Sequence, residues 1–170
     1  MFEGANFESD RLITRELFDS DAEELFRIYS DKEAMQYRGA AVMVRIEDAY
    51  KMIANQSLKE GNLLRKRLGI ISKSNGQLIG TLLLTRNKST IEECEIGFSF
   101  GKRNWGRGLG KETLEMLELQ LRNIEGIEII KAWVVKENVA SIHIFEKAQF
   151  IAMQQTEYPK SNLYCKRLKE

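Results

Sequence analysis

The chain has one proline, one histidine and two cysteines among its 170 residues, and each scarcity closes off a kind of protein. The lone proline, Pro159, marks a turn between the last two expected strands, and no linker, low-complexity tract or internal repeat breaks the chain. The lone histidine, His143, falls mid-helix with no Ser or Cys partner at a matching position, so it reads as a surface or core residue rather than a catalytic one. Cys94 and Cys165 are far apart, lack metal-ligand spacing and sit in strand-like runs, which predicts buried free thiols and no metal site. Charge of either sign is not in excess: 26 Lys plus Arg face 25 Asp plus Glu, so no global field recruits nucleic acid or a membrane surface. No apolar run approaches the ~18 residues of a membrane span, and no charged-then-apolar leader opens the chain. With free thiols, that predicts a cytoplasmic protein.

What remains is an ordinary globular composition, 43% hydrophobic and 30% charged. The length suits one α/β domain over residues 1–170, with its core at about 10–168. Arg11 to Leu17 alternates as an edge strand. Asp19 or Ser20 is placed to cap a helix running to about Tyr29, and a second helix is expected from about Arg45 to Leu58. Between them Asp31 to Val44 has no clear period; such a loop tends to line a binding site, but Tyr37 and Arg38 within it are read here as surface packing. The triplet Arg65-Lys66-Arg67 reads as a solvated connection into a strand at Leu68 to Ser72. Ser74-Asn75-Gly76 makes a hairpin turn to Gln77 to Thr85, and Ile91 to Phe100 follows as the next strand. Gly126 stops the following helix, and Ile129 to Val135 reads as a strand buried on both faces. A short helix at about Val139 to Ala148 precedes strands at Phe150 to Tyr158 and Asn162 to Lys169.

The chain is organised around Glu92 to Leu121, where an apolar-rich strand enters a basic, glycine-rich loop that opens into an amphipathic helix. Glycines 106, 108 and 110 let backbone approach a ligand, and the first N–H groups of the helix have no partner within it. That order of parts holds a phosphate. It is not a P-loop, because Gly110-Lys111 is followed by Glu112 where Ser or Thr is needed, and Trp105 stands in the first glycine's place. It is not a dinucleotide loop either, since the spacing is GxGxG and the unit lies past mid-chain.

Trp105-x-x-Gly108-x-Gly110 resembles motif A of the GNAT superfamily of N-acetyltransferases, with Trp in the first place where Gln or Arg is usual. The phrases EIGF and WGRGLG are similar to the branch typified by ribosomal-protein N-terminal alanine acetyltransferases. By its own physics Asn138 caps a helix whose Ile142, Phe145 and Ala148 face inward. The same run resembles the recurring NxxSxxxYxKxGF motif of these enzymes at Asn138, Ser141, Lys147 and Phe150, departing from it at Phe145 and Gln149.

The resemblance implies a mixed α/β (α+β) fold: a mostly antiparallel seven-stranded sheet, helices on both faces, and parallel fourth and fifth strands that splay apart. It implies acetyl transfer from acetyl-coenzyme A to an amine, on a protein N-terminus or a small molecule, by a monomer or homodimer. Phe98, Ser99 and Phe100 would meet the pantetheine arm with backbone groups the splay leaves unpaired. Arg103, Asn104, Trp105, Gly106 and Arg107 would hold the pyrophosphate together with Gly108, Leu109, Gly110 and Lys111. Asn138, Ser141, Phe145 and Lys147 would complete the coenzyme site. The amine must lose a proton to attack, and Glu95 is the candidate base: strict alternation puts it with Gly97 and Ser99 on one face, unless a bulge shifts the phase. The alternative for Glu95 is an ion pair with a basic residue across the sheet. Phe145 cannot protonate the leaving thiolate, so Ser141, water or another hydroxyl would do so, or the thiolate leaves unaided. Loss of that donor also fits a catalytically weak acyl-coenzyme-A sensor, while a nucleotide-binding module is disfavoured by the failed P-loop match.

Overall fold

The structure is a computed structural model that describes residues 6–154 and 157–168. Its elements in chain order are β1 (Leu12–Arg15), a 3-10 turn (Asp19–Asp21), α1 (Ala22–Ser30), α2 (Lys32–Met35) and α3 (Ile46–Ala54). Then come β2 (Ser57–Glu60), β3 (Leu63–Ser72), β4 (Leu78–Asn87), β5 (Thr90–Phe100), a second 3-10 turn (Lys102–Asn104) and α4 (Leu109–Leu121). The chain closes with β6 (Ile129–Val135), α5 (Val139–Lys147), β7 (Ile151–Met153) and β8 (Ser161–Arg167). Residues 155–156 and 169, which the last two expected strands included, lie outside the described residues.

One sheet runs β1-β3-β4-β5-β6-β8-β7, with β2 also paired to β3. Every pairing is antiparallel except β5 with β6. Among the described residues the sheet therefore has eight strands where seven were expected. The addition is β2, which starts inside the expected second helix: α3 stops at Ala54, and Ser57–Glu60 pairs with Leu63–Lys66 through the turn at Gly61, whose φ is 55°.

Helices cover both faces. Leu114, Leu117 and Leu121 of α4 and Phe145 of α5 bury against Leu82, Leu84, Cys94, Ile96 and Ile130. Leu25, Ile28 and Tyr29 of α1 pack with Ala49 and Ile53 of α3 over Ile71 and Leu78. Each helix has its apolar residues at three- and four-residue spacing, so one stripe faces the sheet. Cys94 is buried, and burial pushes its thiol up to about 12; Cys165 is half-buried, and neither forms a disulfide.

Two local expectations are corrected. Arg65-Lys66-Arg67 is no loop but the middle of β3, where Arg67 Nη1 donates to the Tyr29 hydroxyl at 3.0 Å. Alternation explains part of it: Arg65 and Arg67 lie along a half-covered face, whereas Lys66 shares the side of Leu64 and Leu68 and reaches out to Glu16 and Ser57 Oγ. β6, expected to be buried on both faces, alternates buried with half-buried residues because Ile130, Ala132 and Val134 pack into the core beneath α4 while Lys131, Trp133 and Val135 lie on the other side of the pleat.

The end of α5 carries a strained residue. Gln149 N–H donates to Glu146 O and Phe150 N–H to Phe145 O, a Schellman arrangement, with the Phe145 and Phe150 rings 5.1 Å apart across it. The pattern requires a left-handed residue after the cap, and Gln149 supplies it at φ 64°.

Candidate active site

β5 and β6 are hydrogen-bonded for only three register pairs, Glu93 with Ile129, Cys94 with Ile130 and Glu95 with Lys131. Beyond Glu95 the strands part, although each continues for several residues. On its other edge β5 stays in unbroken register with β4 from Thr85–Glu95 to Gly80–Phe100. The irregularity falls between Thr85 and Asn87 instead, so the alternation read from the sequence holds through the site. Cys94, Ile96 and Phe100 are buried under α4, leaving Glu95, Gly97 and Ser99 on the opposite face.

Register also decides which backbone groups look into the gap. Gly101 N–H bonds to Ile79 O at 3.0 Å, so the alternate residues Ser99 and Gly97 pair toward β4. The N–H and C=O groups of Phe98 and Phe100 then point toward β6 and are released by the splay. Phe100 O is already taken twice, by Trp105 Nε1 at 3.0 Å and Arg38 Nη2 at 3.1 Å.

The gap opens into a cavity of about 460 Å³. Its lining includes Asn104, Trp105, Gly106, Gly108, Leu109 and Gly110 with Asn138, Ser141 and Phe145. Gly106 and Gly108 have φ of 70° and 74°, and a Cβ at Gly106 would meet nothing within 4 Å. The first helical bond of α4 is Glu112 N–H to Gly108 O, so the N–H groups of Leu109, Gly110 and Lys111 precede the ladder at the positive end of the helix dipole. Asn138 Oδ1 accepts from Ser141 N–H at 3.1 Å and caps α5 beside this mouth. These features fit a pyrophosphate and a linear amide-bearing arm.

The same lining takes in Glu33, Gln36, Tyr37 and Arg38, together with Gly97, Ser99 and Trp133. Tyr37 and Arg38 are thus cavity residues, not surface packing. The segment has no helical period for good reason: α2 is one short turn, capped by Asp31 Oδ1 accepting from Glu33 and Ala34 N–H. Trp133 was not foreseen; its place on β6, two residues past Lys131, would have revealed it once the parallel register was assumed.

Glu95 lies just outside the lining and is tied to it. Burial raises its pKa above the ordinary carboxylate value, opposed by a hydrogen bond from the Trp133 side chain and by Arg65 and Lys131. The cross-sheet ion pair considered for Glu95 forms elsewhere, between Lys131 and Glu93 at 2.5 Å. A Cβ built on Gly97 meets nothing within 4 Å, so a vacancy lies beside Glu95 on the same face.

Phe145 is 5% exposed and sits between Phe98, whose ring centroid is 6.2 Å away, and Tyr164 at 5.8 Å. Ser99 and Phe98 line the cavity as expected, but Arg103, Arg107, Lys111 and Lys147 do not. Arg103 reaches toward Glu24 at 3.8 Å, Lys111 toward Glu115 at 3.4 Å, and Lys147 is exposed on α5. Arg107 contributes its carbonyl, which accepts from Arg11 Nη1 at 3.0 Å. His143 is exposed on α5. Among the described residues no group of three or more His, Cys, Asp or Glu could hold a metal ion, and no helix is long and apolar enough to cross a membrane.

Comparisons with known proteins agree with this geometry. Residues 11–151 match the family described as acetyltransferase (GNAT) domain. An uncharacterized N-acetyltransferase of Bacillus subtilis, YoaA, is 30% identical over 143 residues, 84% of this chain and 81% of its own. Another, p20 of Bacillus licheniformis, is 28% identical over 144 residues, 84% of this chain and 80% of its own. Among solved structures, a GNAT-family acetyltransferase from Bacillus anthracis superposes with a TM-score of 0.81 at 20% identity, covering 97% of this chain and 99% of that one. The spermidine N-acetyltransferase of Vibrio cholerae, in complex with CoA and spermine, superposes with a TM-score of 0.74 at 13% identity, covering 94% and 97%. With a family match across most of its length and the splayed parallel pair at its centre, the chain belongs to the GNAT acetyltransferases.

Proposed function

We propose that this protein transfers the acetyl group of acetyl-coenzyme A to a primary amine, on a protein N-terminus or a small molecule. The parting of β5 from β6 beyond Glu95 carries the reading, because it releases the Phe98 backbone into a cavity lined both by the opening turn of α4 and by polar side chains of the α2 segment. The relatives named N-acetyltransferase and the fold shared with a CoA-bound enzyme support it.

The N–H groups opening α4, with Gly106 and Gly108, would hold the pyrophosphate, and Asn138, Ser141 and Phe145 would flank the arm. Acetyl-coenzyme A supplies a thioester carbonyl and a thiol leaving group. Phe98 N–H is the donor for the acetyl oxygen as charge grows on it. Glu95, with its raised pKa and its hydrogen bond from Trp133, draws the proton from the amine through a water in the Gly97 vacancy. Ser141 is the α5 hydroxyl in the lining and the candidate partner for the departing sulfur.

Gly108→Val tests the placement. It forces a branched side chain onto a backbone at φ 74° where a pyrophosphate would lie. Affinity for coenzyme A, measured by calorimetry, should fall at least about tenfold while the fold survives; unchanged affinity would put the site elsewhere. Thiol release with a panel of amines separates an enzyme from a coenzyme-binding sensor, the reading that Phe145 in place of a proton donor favours.

A further inference from the structure

The lining contributed by α2 and the segment after it is unevenly charged. Its one carboxylate among the described residues, Glu33, is engaged by the Lys102 ammonium. Asp31 nearby spends its carboxylate capping α2. Arg38, by contrast, lines the cavity half-buried, and among the described residues no carboxylate lies within ion-pair distance of it. The Arg38 guanidinium stacks 4.8 Å from the centroid of the Tyr29 ring, which also receives Arg67 Nη1 on its hydroxyl. That hydroxyl shares a 2.7 Å hydrogen bond with Thr81 Oγ1, and Thr81 is the register partner of Ser99 in the lining. Arg67 likewise has no carboxylate partner among the described residues. Two guanidinium groups therefore meet one tyrosine, Arg38 over its ring and Arg67 at its hydroxyl, and Arg67 lies in cross-sheet register with Leu83 and Gly97, on the face where the proposed amine would sit.

Holding Arg38 among partly buried groups carries a desolvation cost. Burial lowers the pKa of Arg38, Tyr29 opposes that, the like charge of Arg67 adds to the lowering, and Asp31 gives smaller help. Stacking and the bonds to Phe100 O and Met35 Sδ hold the guanidinium in place while leaving further N–H groups unused. Positions that hold a partly desolvated arginine with open donors recognise carboxylate or phosphate-like oxygens.

We infer that the amine acceptor carries an anionic group, a carboxylate or similar oxyanion a few bonds from its nitrogen, which docks on Arg38 with Arg67 behind it. The inference rests on the acetyl-transfer reading and narrows it: polycationic amines, whose charges would meet the same guanidinium groups, are poor substrates.

The test assays thiol release from acetyl-coenzyme A with matched amines. Each set holds a free amino acid, its carboxamide and its decarboxylated amine; a peptide with an acidic first residue and spermidine complete the panel. The free amino acid and the acidic peptide separate the two sources of the anion. The carboxylate-bearing members should exceed the carboxamides in kcat/KM by roughly tenfold or more, the scale of a charge-assisted hydrogen bond. Arg38→Gln should bring that ratio close to one, and Arg38→Lys should restore part of it. Comparing ratios between proteins cancels differences in amine basicity and in the amount of folded enzyme. Carboxamides or spermidine reacting as well as the acids would overturn the inference, as would a ratio that Arg38→Gln leaves unchanged, or coenzyme binding with no amine turned over. Failure to bind acetyl-coenzyme A in calorimetry would strike the acetyl-transfer reading instead.

Discussion

Arg11 and Glu112, 101 residues apart, meet at the mouth of the cavity: Arg11 Nε donates to Glu112 Oε2 at 2.6 Å and its backbone N–H to Oε1 at 2.9 Å. Ser9 Oγ adds a third bond to the same carboxylate at 2.7 Å, while Arg11 Nη1 holds the carbonyl of Arg107. The start of β1 is thereby clamped to the glycine-rich loop and the first turn of α4. Glu112, which rules out a P-loop, has a structural use in that place.

Burial pushes the Glu112 carboxyl up, but the bonds from Ser9 and Arg11 outweigh it and leave the pKa below the ordinary value. A carboxylate depressed in the folded state contributes stability that is present above its unfolded pKa near ~4.3 and lost as pH falls through the folded value. Glu112→Gln should therefore lower the Tm at neutral pH by roughly 2–4 °C, about 1 kcal/mol given the exposed arginine, with the gap closing below that range. Thermal unfolding of both proteins from pH 7 to pH 3 measures it; a gap that widened in acid would contradict the clamp.

Glu95→Gln keeps size and most hydrogen bonding but removes the base. Turnover at neutral pH should fall by roughly 10²-fold or more with coenzyme affinity unchanged. Because burial raises the Glu95 pKa, the acid limb of the native rate profile should lie above the ordinary carboxylate range and vanish in the variant. Raising the pH should recover part of the loss as the amine deprotonates by itself, and recover it earlier for an α-amine, near ~7.7–8.0, than for a side-chain amine near ~10.4. Equal rates at neutral pH would clear Glu95, and a loss no pH recovers would make it structural.

Phe145 occupies two roles at once, lining the cavity and filling the core between Phe98, Phe150 and Tyr164. Phe145→Ala should weaken coenzyme binding and cost about 3–5 kcal/mol of stability by leaving a cavity. Phe145→Tyr should leave turnover nearly unchanged or raise it modestly, since a hydroxyl near the departing sulfur can protonate it. Calorimetry and thiol release on the folded variants decide; intact affinity and activity in Phe145→Ala would make the residue an ordinary core position.

Gln149 holds a left-handed conformation that disfavours side chains with a Cβ. Gln149→Gly should stabilise the protein by about 1 kcal/mol, raising the Tm by roughly 2–4 °C without altering turnover. A lower Tm would mean that the glutamine side chain offsets its backbone strain.

Local sequence specifies the strand, the glycine-rich turn and the helix that follow one another from Glu92 to Leu121, along with the cap at Asn138. Each rests on neighbours within a few residues: alternation, an unpaired helix end, a side chain bonding three residues on. The same locality let Glu95, Gly97 and Ser99 be placed on one face before any partner strand was known. Features that depend on distant partners are set by long-range packing and strand pairing. The helix after Arg45 stops early because Ser57–Glu60 finds β3, and the basic triplet becomes strand because its backbone pairs on both sides. Tyr37, Arg38 and Trp133 enter the site from segments with no periodic signal of their own, brought there by where β5 and β6 cease to pair. That Lys131 pairs with Glu93, although Glu95 is its register partner, likewise depends on how two strands some 35 residues apart meet, and no local rule of spacing specifies that.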